Sequence, residues 1–193
     1  MNANIFQTKH TCPWWLIATF DNPLRRLIHD PQKILMDWVR PGDAVLDVGC
    51  GMGYFTLGLA KLVGEMGRVI AADLQPEMLA GLRQRAARAG LLSRIQVHQA
   101  APERIGLEAN LDFGLAFWMV HEVRQQETFL QEIHGLLKPG GKFLVAEPKL
   151  HVPEDAFRRT LQIAQAHGFR EIARPAVRFS QAVVLAKEPP TLT

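Results

Sequence analysis

Cysteine is nearly missing from this chain: Cys12 and Cys50 are the two in 193 residues. Two thiols exclude a disulfide framework, and without a Cys-x-x-Cys pair neither structural zinc nor a redox dithiol is read. Such usage fits a reducing cytoplasm. Long hydrophobic runs are also missing. The longest, such as "FGLAFWMV" at 113–120, fall well short of the roughly 18 residues that a membrane span takes. "CPWWLIATF" at 12–20 follows Lys9 but carries no small-residue cleavage site and runs into "DNPLRR", so no targeting segment is read. There is no internal repeat and no low-complexity tract. Charge of one sign is scarce: 22 basic against 19 acidic residues leave a net +3, which permits an anionic partner without calling for one. His10, His29, His98, His134, His151 and His167 show no metal-ligand spacing and read as surface or satisfied core residues, so no metal is expected.

What is present is an ordinary globular composition, 48% hydrophobic and 21% charged, at a length that fills one domain. From about residue 30, short β-like runs alternate with helical stretches, the pattern of a parallel α/β sheet. The strand candidates are 44–49, 68–73, 94–99, 112–117 and 142–147. Most are almost continuously apolar, as strands covered by helices on both faces are. Asp30-Pro31 supplies an N-cap and a first-turn proline, after which Ile34, Leu35 and Trp38 share a face. Segments 76–89, 125–137 and 153–167 carry helical spacing, and "KPGG" at 138–141 is expected to end the second and turn the chain. Residues 170–188 read as a final hairpin-like pair. Residues 1–30 fall outside the alternation and read as an extension over a domain spanning 31–193.

The chemistry concentrates in "VLDVGCGMGYFT" at 45–56, where Gly49, Gly51 and Gly53 follow a buried strand. Glycine carries an entropic cost, so three at alternate positions imply a loop shaped for a ligand. A dinucleotide fingerprint needs a small residue three places after its second glycine. Counting from Gly49 that position is Tyr54, and from Gly51 it is Thr56. Both fail, which leaves a nicotinamide-dependent oxidoreductase as a distant reading.

Three motifs in order make a different match. "VLDVGCGMGYF", "AADLQPEML" at 71–79 and "LLKPGGKFLVAEP" at 136–148 resemble the first motif, the acidic second-strand motif and the fifth-strand approach of class I S-adenosylmethionine (SAM)-dependent methyltransferases. The resemblance runs from about residue 33 to 187. "KPGG…EP" and "MVHEV" look most like the small-molecule branch that includes quinone-biosynthesis and arsenite methyltransferases. With a cysteine inside the glycine turn and one other, arsenite chemistry is disfavoured. The resemblance implies a doubly wound, seven-stranded, mostly parallel α/β sheet, Rossmann-like, with the last strand antiparallel.

It also implies a cofactor, SAM, and positions for it. Gly49, Cys50, Gly51 and Gly53 would leave the backbone free to lie against the methionine end. Asp47 reads as a brace for the turn rather than a direct ligand. Asp73, at the end of the second strand, would accept hydrogen bonds from both ribose hydroxyls, and Leu74 would pack on the adenine. Phe117 and Trp118 close the cofactor side. One position departs from the family: where an acid commonly meets the adenine amine, "QAAPE" at 99–103 places Ala100. Gln99, Glu103 or backbone groups near Ala101 are the substitutes.

In open α/β sheets, ligands sit beyond the carboxyl ends of the strands, so the acceptor should meet residues after the fourth and fifth strands. His121 is the candidate base for a hydroxyl or acidic-carbon acceptor. Lining the cofactor or capping the next helix is the competing reading, and the residues favour neither. Glu147 either binds an acceptor amine or makes strand-end hydrogen bonds. Trp14, Trp15 and Phe20 either form an apolar lid over the acceptor or plug the domain core. If exposed, the two tryptophans would suit a homodimer interface. With almost no insertion beyond the minimal fold, a small acceptor is favoured. Basic helix positions such as Arg83, Arg85, Arg88, Arg158 and Arg159 keep an RNA methyltransferase as an alternative. A non-catalytic SAM-binding or partner-binding module is the alternative from another class.

Overall fold

A computed structural model of the protein describes residues 27–188. Trp14, Trp15 and Phe20, the residues expected over the acceptor, lie outside the described residues, as does Cys12. In chain order the elements are α1 (Pro31–Leu35), β1 (Ala44–Val48), α2 (Tyr54–Leu62), β2 (Arg68–Asp73), α3 (Pro76–Arg88), a 3₁₀ turn (Leu92–Arg94), β3 (Ile95–Gln99), β4 (Leu111–Phe117), a second 3₁₀ turn (Val120–Glu122), α4 (Gln126–Leu136), β5 (Leu137–Pro148), α5 (Glu154–Ala166), β6 (Phe169–Ala173) and β7 (Ser180–Lys187). The alternation read from the sequence is present throughout.

One seven-stranded sheet has the order β3-β2-β1-β4-β5-β7-β6. Pairs from β3 to β5 are parallel, while β7 runs antiparallel between β5 and β6. The order reverses between β1 and β4, so a crevice opens beyond their carboxyl ends, where ligands bind in sheets of this kind. Side chains alternate faces along each strand. Val45, Phe113, Leu115 and Leu144 pack on one face with Leu35, Phe55, Leu59 and Leu82 of α1, α2 and α3. Leu46, Val48, Phe143 and Val145 pack on the other with Phe129, Leu130, Phe157 and Leu161 of α4 and α5. Burial on both faces is why the central strands are apolar at nearly every position.

Helix α1 begins where expected. The Asp30 side chain accepts from the Gln32 N–H at 3.0 Å, and Pro31 occupies the first turn, a cap worth about 1 kcal/mol. The "KPGG" segment differs from expectation. It does not leave the sheet: β5 starts at Leu137, which pairs with Leu111, and the ladder shifts register before resuming at Phe113 opposite Lys142. Gly140 has a φ of 76°, and a Cβ on Gly141 would lie 2.9 Å from the Lys138 carbonyl and 3.0 Å from that of Leu111. The glycines therefore make an irregularity within the sheet, of the sort a bulge produces, rather than an exit from it.

Phe143 is fully buried, with its ring 6.4 Å from that of Phe129 and 6.2 Å from that of Phe169. Phe143→Ala is expected to lower unfolding free energy by about 3–5 kcal/mol in urea titration. Met66→Ala, at a side chain 90% exposed, should shift it by under about 0.5 kcal/mol.

Candidate active site at the carboxyl edge of the sheet

The chain leaves β1 through a turn that three left-handed glycines make possible: φ is 70° at Gly49, 52° at Gly51 and 84° at Gly53. Residues with a Cβ pay for that region of φ. The N–H groups of Gly49 and Cys50 both donate to the Ala72 carbonyl, at 2.8 and 3.1 Å, and that of Gly51 donates to Asp73 Oδ2 at 2.9 Å. The turn is thereby stitched to the end of β2. Asp47, buried at 2% exposure, accepts from the Thr56 hydroxyl and ties β1 to the first turn of α2.

All three glycines are expected to leave the backbone free for a ligand, and on the Cβ side of two of them the protein's own side chains stand. A Cβ on Gly53 would stand 2.1 Å from Leu82 Cδ1, and one on Gly49 would stand 2.8 Å from Met119 Cγ. The space at both positions is filled by the protein's own side chains. The Cys50 side chain likewise packs in the core. Burial pushes its thiol well above the ordinary range, and the charges of Asp47 and Asp73 push the same way. That keeps it protonated and inert.

Asp73 Oδ1 accepts from the Gln75 N–H at 2.9 Å. Burial raises its carboxyl above the usual aspartate range, although the N–H groups of Gln75, Gly51 and Leu74 pull it down. Leu74 beside it is partly buried against the α4–α5 face of the sheet. After β3, the Ala100 N–H donates to the Asp73 carbonyl at 3.0 Å, and the Ala101 N–H to that of Arg104, also at 3.0 Å. The backbone donors proposed for adenine at these two alanines are therefore already used; carbonyl oxygen and methyl surface are what they can still offer.

Across the crevice, Trp118 has a φ of 60°, a conformation costing on the order of 1–3 kcal/mol for a bulky residue. Its N–H donates to the Ala146 carbonyl at 2.7 Å and its Nε1 to Ser180 Oγ at 2.8 Å. His29 meets the Phe117 and Trp118 rings edge-on, each at 5.1 Å between centroids. Phe117 itself is buried, 4.2 Å from the Phe55 ring, so it backs the site from the core. His29 accepts from the Tyr54 hydroxyl through its carbonyl and bonds the Arg178 carbonyl through Nε2.

His121 and Glu147 meet directly. His121 Nδ1 hydrogen-bonds Glu147 Oε2, while Glu147 Oε1 accepts from the Val120 N–H at 2.8 Å. Glu147 is 2% exposed, and both its oxygens serve the protein. It therefore stands behind His121 rather than against an acceptor amine. No sequence signal joins Glu147 to His121, or brings Met119 and His29 to the site; these contacts come from separate strands and loops.

Residues 45–141 match the family described as a methyltransferase domain. The chain belongs to this family. It is 35% identical over 120 residues to a ubiquinone/menaquinone biosynthesis C-methyltransferase of Teredinibacter turnerae, covering 59% of this chain and 46% of that one. To the protein of the same name from Azotobacter vinelandii it is 32% identical over 141 residues, covering 72% and 55%. The chain thus spans about half the length of these curated relatives. A SAM-dependent methyltransferase from Aquifex aeolicus superposes with a TM-score of 0.83 at 26% identity, covering 92% of this chain and all of that one. The methyltransferase domain here fits SAM at the ribose: a carboxylate has about four acceptor sites, so Asp73 can bind the loop and still accept from a hydroxyl pair. Among its described residues no helix is long and apolar enough to cross a membrane, and no cluster of three or more His, Cys, Asp or Glu stands ready to hold a metal.

Gly53→Ala combines a disfavoured φ with a clash against Leu82. It is expected to lower stability by about 1–3 kcal/mol, read as a fall in the thermal midpoint. Adding Leu82→Ala should leave the φ penalty in place, so the double variant does not regain the stability of Leu82→Ala alone.

Proposed function

We propose that the protein transfers the methyl group of SAM to a small, partly apolar acceptor by in-line displacement. The observation that carries this reading is the joint held by Asp73. One carboxylate closes the glycine turn through Gly51 and stands at the carboxyl edge of β2, next to the point where the strand order reverses. When bound, SAM supplies an electrophilic methyl on a sulfonium sulfur. Asp73 would hold the ribose hydroxyls and Leu74 the adenine face. Residues 49–53 would border the methionine end, with Gln99 at the end of β3 and Glu103 in the loop after it as the polar side chains for the adenine amine. Trp118 and His121 would face the acceptor. Holding the two reactants in line accounts for much of such a rate enhancement, about 7–11 kcal/mol in favourable cases.

Two considerations support a small acceptor over RNA. The Teredinibacter turnerae relative is named for ubiquinone and menaquinone biosynthesis. The basic pair on α5 is also already engaged: Arg158 pairs with Glu154 at 3.2 Å and Arg159 with Asp155 at 2.7 Å. Exposed pairs of this kind are a solvated helix face.

Calorimetric titration tests the cofactor directly. SAM and its demethylated product should bind and NAD should not. Asp73→Asn should weaken SAM by roughly 10–100-fold, the worth of about 1.5–3 kcal/mol for hydrogen bonds to a charged group, with the circular dichroism unchanged. Equal affinity of the variant and the parent protein would remove Asp73 from the cofactor site.

A further inference from the structure

We infer that His121 and Glu147 form a general-base dyad, and that the acceptor is consequently one that must lose a proton: a phenol, an enol or an activated carbon acid. The inference rests on the methyltransferase reading above and narrows its substrate class.

The dyad is a built arrangement. Glu147 lies on β5 at the carboxyl edge, buried, with one oxygen on the Val120 N–H and the other on His121 Nδ1. The turn that carries His121 is anchored a second time. Gln126 Nε2 donates to the Val120 carbonyl at 3.1 Å, and the same amide's oxygen accepts from the Thr160 hydroxyl at 2.8 Å. Residues from β5, α4 and α5 thus converge on three residues of chain. A carboxylate taken out of water is costly unless it is paired and hydrogen-bonded, and here the pairing is with an imidazole whose side chain remains 30% exposed. Nε2 has no hydrogen-bond partner among the described residues. Two positions earlier, Met119 presses against Gly49 of the turn, so the imidazole belongs to the segment that borders the glycine loop.

A carboxylate accepting from Nδ1–H fixes the neutral tautomer with a bare Nε2, the atom able to take a proton. Burial by itself would lower the His121 pKa, but the hydrogen bond and charge of Glu147, helped by the neighbouring charge of Glu122, raise it above the ordinary imidazole value. Among the described residues those are the charges that act on it, one from β5 and one from its own turn. In the transfer, the acceptor's O–H or C–H proton passes to Nε2 while the electron pair left on the acceptor forms its bond to the methyl carbon. The methyl–sulfur bond breaks and its pair stays on sulfur, which becomes a neutral thioether. The imidazolium so formed is held by Glu147 until it releases the proton to water. Amines of low pKa and ionised thiols would not use this base. Glu147 is a positioning residue in this scheme, because it acts through His121.

Two readouts test it. The first needs no acceptor: ¹⁵N NMR of the histidine-labelled protein with pH. His121 should carry its proton on Nδ1 when neutral and titrate above a free histidine. Glu147→Gln should lower that pKa and, by offering an amide N–H to Nδ1, move the proton to Nε2. The second readout is transfer from radiolabelled SAM to 1,4-dihydroxynaphthalene kept reduced, with 2-naphthalenethiol and 1-naphthylamine as matched probes. Methylation of the dihydroxynaphthalene should fall as pH drops through the His121 pKa. It should fall about 10²-fold or more in His121→Asn, with SAM affinity unchanged. Glu147→Gln should lower kcat and shift the acidic limb to lower pH. A neutral His121 protonated on Nε2 in the parent protein overturns the dyad. So does full activity in His121→Asn, or SAM binding with methylation of the thiol or amine alone or of no probe. Failure to bind SAM would instead strike the methyltransferase reading itself.

Discussion

The turn leaving β1 must reverse the chain over the end of β2 within a few residues, and it does so by surrendering its N–H groups to that strand. Gly49 and Cys50 share the Ala72 carbonyl, and Gly51 reaches the Asp73 carboxylate. Unpaired backbone donors at a half-buried strand end would cost as much as lost hydrogen bonds. The bonds therefore hold β1, β2 and the start of α2 in one arrangement, and the shape of the sheet's carboxyl edge there follows from it. Asp73 is both a structural acceptor and the group with capacity left for a ribose. Burial raises its pKa in spite of those donors, so the loop's N–H groups offset only part of the cost of holding a carboxylate there.

The opposite wall of the crevice depends on a second buried carboxylate. Glu147 draws the turn after β4 onto β5 by accepting from Val120, and orients His121 with its other oxygen. Near it, Trp118 is kept in a left-handed conformation by a backbone bond to Ala146 and a side-chain bond to Ser180. Strain of this kind persists where surrounding contacts over-determine it. The two walls meet where Met119 stands against Gly49, so the glycine turn and the segment after β4 pack on one another.

Much of the fold was legible because its physics is local. The five central strands announce themselves as apolar runs, since helices cover both faces of the sheet, and Asp30-Pro31 marks a helix start because a side-chain acceptor and a fixed φ suit that position. "KPGG" misled because proline and glycine signal a break in the chain's direction; they do not say whether an adjacent strand will keep the segment. Leu111 kept it, across a shift in register. At Ala100 the missing acid was visible, but the loss of the Ala100 and Ala101 N–H groups to Asp73 and Arg104 was not, because that depends on how the loop closes on itself.

By itself the sequence determined the alternation of strands and helices, the left-handed turn that three glycines permit, and the acid at the end of β2. Each follows from periodicity or from the backbone freedom of particular residues. Only the tertiary structure decided that Leu82 and Met119 stand on the Cβ side of Gly53 and Gly49, and that Glu147 hydrogen-bonds His121. Those outcomes depend on which side chains distant stretches of chain bring within contact. A one-dimensional pattern carries the propensity of each segment but not the packing that brings β4 and β5 side by side.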